Sequence, residues 1–181
     1  DLVSQPGDVS FVIDALAAAS DDPSDALHGR VDGTRVGLMG HSLGGATAIA
    51  ATRFDCCSDP RIDAVVLVAA ADFTLPGLFG EEPQADGPPT LSLTGDQDGV
   101  VPSAGVRAFN DGIDPPRIYV QLVGANHVNL IENYGEPSPL LTPTEELSAA
   151  FFGAYLAGEG KSPEPTLESI SSQGNTVAAD L

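Results

Sequence analysis

Apolar residues along the chain fall into stripes at helical spacing and short unbroken runs. Val9, Val12, Ile13, Leu16 and Ala17 share one face of a helix, with Asp8 as its N-cap and the polar Asp21-Asp22-Pro23-Ser24 stretch ending it near Ser20. Arg35-Val36-Gly37-Leu38-Met39 is a short apolar strand candidate running into Gly40, and Leu43 to Phe54 reads as a helix rich in glycine and alanine. Ala64 to Ala70 is apolar without alternation, the pattern of a strand buried on both faces. Thr90 to Thr94 and Arg117 to Val123 predict two further strands, with a short helix over Ser103 to Phe109 between them. Thr142-Pro143-Thr144-Glu145 offers an N-cap, a proline at the first helical position and a capping-box acid. The helix it opens should bury Leu147, Ala150, Phe151 and Ala154 and stop around Gly158. Helices alternating with doubly buried strands predict an α/β fold: a mostly parallel sheet of about four strands, flanked by helices. That folded portion is expected over residues 1–160, and the Pro-, Ser- and Glu-rich residues 161–181 as a loosely ordered tail.

Charge narrows the function. The 26 acidic and 7 basic side chains give a formal net charge of −19. A surface this negative repels nucleic-acid phosphates, anionic lipid and anionic substrates. A hydrophobic content of 42 % is ordinary for a packed domain and too high for a disordered acidic tail. The longest uncharged run, Val36 to Thr52, contains glycine, histidine, serine and threonine, so no transmembrane segment is predicted. Cys56 and Cys57 are adjacent, and a trans peptide holds their Cα atoms ~3.8 Å apart, so they are expected to be thiols with no part in a metal site. No metal or organic cofactor is implied. The first residue is Asp1, without a leader pattern, so the compartment is left open.

Gly40-His41-Ser42-Leu43-Gly44 matches G-x-S-x-G, a serine lifted on a sharp strand-to-helix turn. The flanking context fits: a strand candidate precedes it, a helix follows, and Gly40 and Gly44 supply the small residues on either side of Ser42. The Leu43 N–H, at the start of the helix, is placed to donate into an oxyanion hole. A serine hydroxyl is a weak nucleophile unless a histidine takes its proton, and that histidine needs a carboxylate to fix its tautomer. Of the three histidines, His28 precedes Ser42 on a polar segment, and His41 is too close within the elbow to act as its base. His127, in Gly124-Ala125-Asn126-His127 after the last predicted strand, lies where the base belongs. For the acid, Asp96 and Asp98 share the loop after Thr94; Asp98, before Gly-Val-Val-Pro, is the better candidate, with Asp96 a turn residue bonding its own backbone.

The Gly-His-Ser-Leu-Gly-Gly elbow, the Gly-Asp-Gln-Asp-Gly-Val-Val-Pro loop and the Gly-Ala-Asn-His loop resemble the α/β-hydrolase superfamily. They are most similar to its branch of esterases related to dienelactone hydrolase, type II platelet-activating-factor acetylhydrolase and the polyester-cleaving cutinases. The resemblance implies a serine hydrolase acting on a small-molecule or lipid-like ester, with Ser42 as nucleophile, Asp98 and His127 as its partners, and Leu43 N–H as one oxyanion donor. It also implies that the family's early strands, and the loop giving the other donor, are missing. The chain would then be the C-terminal portion of such a domain, able to associate through an unpaired sheet edge. A lipase, polyester hydrolase, thioesterase or cofactor-free haloperoxidase could use the same triad, and a catalytically incompetent fragment is the non-enzymatic alternative. Phe73 and Phe79, in the loop-like stretch from Asp72 to Pro89, are candidates for the wall or lid of an acyl pocket, and Tyr134 for its lining.

Overall fold

The computed structural model describes residues 1–71, 75–131, 140–157 and 162–181. Its strands β1 (Val36–His41), β2 (Ile62–Val68), β3 (Thr90–Gly95), β4 (Arg117–Leu122) and β5 (Thr176–Asp180) form one sheet in chain order. The first four pair in parallel, and β5 adds to β4 antiparallel. Helices α1 (Gln5–Asp21), α2 (Leu43–Arg53), α3 (Leu75–Phe79), α4 (Ser103–Gly112), α5 (Leu141–Tyr155) and α6 (Glu164–Ser172) complete the α/β architecture that the strand and helix patterns predict.

β2 shows why unbroken apolar runs mark this sheet. Ala64, Val66 and Val68 join Leu91, Leu93, Ile118, Val120, Leu147 and Phe151 in the core beneath α5 and α6. Val65 and Leu67 belong to the opposite core, with Ala48, Ile49, Phe54, Phe109 and Ile113 of the α2 and α4 side. From Ala64 to Val68 each face of the strand is therefore dry, and side chains alternate between two cores rather than between core and water. β1 differs, because it is the edge strand: Met39 is 45 % exposed. An apolar groove of about 520 Å³ runs beside it, bordered by Val9, Val12, Leu16, Leu38 and Met39.

Four sequence expectations change. α1 starts at Gln5, with Pro6 in its first turn and Asp8 already inside the helix, because proline's fixed φ suits that turn. α5 starts at Leu141, so Thr142 and Pro143 lie inside it, and Thr142 does not cap it. Residues 162–181 are not a loose tail. Leu167 and Ile170, one helical turn apart, bury in the α5 core, and β5 covers the edge of β4. Cys56 and Cys57 are joined as a vicinal disulfide, at a Cα separation of 3.8 Å, so neither is a free thiol. No described helix is long and apolar enough to cross a membrane.

Candidate active site

The site lies at the C-terminal ends of β1, β3 and β4, where parallel strands direct their following loops to one edge of the sheet. Ser42 joins β1 to α2 with φ 53° and ψ −119°, in the region L-residues rarely adopt. Its N–H donates to the Val68 carbonyl at 2.9 Å, fixing the turn to β2. Gly40 is required here: a Cβ at that position would come within 2.2 Å of the Gly44 carbonyl oxygen. Gly44, expected to be held small by crowding, faces open space. The crowded partner is Gly45, whose Cβ would meet the Ala70 Cβ at 2.2 Å. The signal for it was the Gly44-Gly45 pair itself, but the clash depends on Ala70, distant in sequence.

The three expected side chains meet. His127 Nδ1 lies 2.9 Å from Asp98 Oδ2, and His127 Nε2 lies 2.9 Å from Ser42 Oγ. A carboxylate only accepts, so Nδ1 carries the proton and Nε2 is free to accept from the Ser42 hydroxyl. The Asp98 side chain is fully buried and that of His127 is 14 % exposed. The other Asp98 oxygen, Oδ1, accepts the Val100 and Val101 N–H groups at 2.8 Å each, which aims the carboxylate at the imidazole. Such a row can shift a proton from the hydroxyl to the imidazole and stabilise the resulting imidazolium. The Leu43 N–H opens α2, where first-turn N–H groups lack partners within the helix.

Adjacent loops are bound together. Asp96 does not bond its own backbone as expected; its Oδ1 accepts the Gly124 N–H at 2.7 Å, joining the Asp98 loop to the His127 loop. Gln97 N–H donates to the Ala125 carbonyl at 2.9 Å across the same junction. His41 Nε2 lies 2.7 Å from the His127 carbonyl, and no sequence pattern announces any of these three long-range bonds. His28, exposed at the protein's periphery, bonds the Ser20 carbonyl through Nδ1 instead. Phe79 is not brought to the site: its ring packs, tilted, against Phe54 at 5.0 Å between centroids, at the far end of α2, about 18 Å along the helix from Ser42. Phe73 and Tyr134 lie outside the described residues.

A search of curated proteins returns no match. Residues 2–166 match the profile of the Alpha/beta hydrolase family, which spans every loop of this site. The sheet, the strand-end site and the extent of that match agree: the chain belongs to the alpha/beta hydrolase family, and its family function is that of a hydrolase.

Proposed function

We propose that the protein is a serine hydrolase of carboxylic esters. The observation that carries this reading is the unbroken row Asp98–His127–Ser42, with both heavy-atom separations at 2.9 Å. Ser42 Oγ attacks the ester carbonyl carbon while His127 Nε2 takes its proton, and Asp98 holds the imidazolium that forms. Leu43 N–H stabilises the oxyanion as the carbonyl oxygen gains charge. Collapse of the tetrahedral adduct breaks the bond to the alkoxy group, which leaves with the proton from His127. Water then attacks the acyl-enzyme, again losing its proton to His127, and the acid departs with Ser42 restored. Leu43 and Val100 are 57 % and 67 % exposed, and give the surroundings of Ser42 and Asp98 an apolar character suited to a neutral ester.

The open edge of β1 favours a second reading, in which the second oxyanion donor comes from a further strand placed on that edge. The 181-residue chain would then turn over esters slowly or only with that segment present. A panel of p-nitrophenyl esters, thioesters and triglycerides tests the substrate class. Ester turnover that disappears in Ser42→Ala supports the proposal; equal turnover by Ser42→Ala contradicts it.

A further inference from the structure

We infer that His41 is a positioning residue that holds the His127 loop to the nucleophile turn, an inference that rests on the triad reading above. His41 ends β1, in register with Val68 of β2, so its ring is carried by the sheet and not by a loop. Its Nε2 lies 2.7 Å from the His127 backbone oxygen, and the two rings pack with centroids 4.7 Å apart. A carbonyl oxygen can only accept, so His41 Nε2 is the donor in either charge state of the ring.

The consequence lies in the connectivity. Residues 41 and 42 are consecutive, and each contacts one part of His127: the backbone oxygen and the imidazole Nε2, respectively. These two hydrogen bonds close a ring through residues 41, 42 and 127. When Ser42 is acylated its hydroxyl proton is gone, and the bond from Ser42 to the imidazole is lost with it. The His41 bond does not depend on Ser42 and persists through that stage. It keeps the His127 main chain at the same place, with Asp98 fixing the far side of the ring, while water is activated for deacylation. The sequence motif allows almost any residue before the serine; here that position carries a donor directed at the base loop.

The test uses the full chain, labelled with ¹⁵N-histidine, as wild type, His41→Phe and His41→Gln. Glutamine places a donating Nε2 the same number of bonds from the backbone, while phenylalanine keeps the ring contact and lacks the donor. Two quantities are read: p-nitrophenyl acetate kinetics and the downfield Nδ1–H resonance of His127. In His41→Phe, kcat falls about tenfold with KM little changed, and the Nδ1–H resonance broadens or disappears. In His41→Gln both stay within about threefold of wild type in rate and unchanged in resonance. Wild-type kcat and resonance in His41→Phe overturn the inference, as does a His41→Gln variant of native melting temperature that behaves like His41→Phe. Failure of the triad reading is separate: it appears as wild-type turnover in Ser42→Ala, while the His127 Nδ1–H resonance still responds to His41→Phe.

Discussion

At the residue scale, the turn around Ser42 is set by what its neighbours cannot be. Gly40 faces backbone at 2.2 Å, which cannot give way as a flexible side-chain tip could. Gly40→Ala is therefore expected to cost about 3 kcal/mol and to abolish turnover, whereas Gly44→Ala meets open space and leaves the melting temperature unchanged or higher. Thermal denaturation of the two variants checks this. The contrast also marks what the sequence could show. The motif names its small positions in symmetrical order around the serine, and Gly40 obeys it. Crowding on the helical side is decided by which residue of β2's end lies opposite, and that is Ala70 against Gly45. That Ser42, Asp98 and His127 come together was legible because a motif and chain order point to them. The bonds of Asp96 to Gly124 and of His41 to His127 were not, since each joins segments distant in sequence.

At the scale of elements, strands were easier to read than helix ends. The unbroken apolar run that became β2 carries burial on both faces in its own composition, whereas β3 alternates Leu91 and Leu93 with the equally buried Thr90, Ser92 and Thr94. Helix starts depend on what docks nearby, and α1 begins ahead of its expected cap. α1 is tied to the sheet by Arg61, which bonds Asp14 and the Ser10 carbonyl of α1 and, at 2.6 and 2.9 Å, the carboxylate of Asp59. Arg61 holds the Asp59 carboxyl far below the usual carboxylate range, against the opposing effect of burial. A depressed folded-state pKa means stability that is complete above the unfolded value, about 3.9, and lost as pH falls toward the folded value. The melting-temperature gap between wild type and Asp59→Asn should therefore be full at pH 7 and at pH 5, and shrink below about pH 4. A gap that stays constant down to pH 2.5 contradicts the assignment. Comparing the two proteins at each pH removes the general effect of discharging a −19 surface.

At the scale of the whole molecule, the two sheet edges are managed differently. β5 closes the β4 edge, and α6 sends Leu167 and Ile170, 5 % and 0 % exposed, into the core. Sparse apolar residues hid this segment in the sequence, because two well-spaced side chains suffice when a core already waits for them. Ending the chain at Ser162 is expected to cost about 4 kcal/mol and to lower Tm by roughly 10 °C, measured by calorimetry; an unchanged Tm would return residues 162–181 to the status of a tail. At the other edge, no described strand pairs with the outer side of β1, and Met39 borders the apolar groove beside α1. The central claim, that this chain assembles a working Ser42–His127–Asp98 row, is tested most directly by covalent labelling of the 181-residue protein with a fluorophosphonate and peptide mapping by mass spectrometry. The account predicts modification at Ser42, abolished in His127→Ala; absence of label at Ser42 in the folded protein, or equal labelling in His127→Ala, contradicts it.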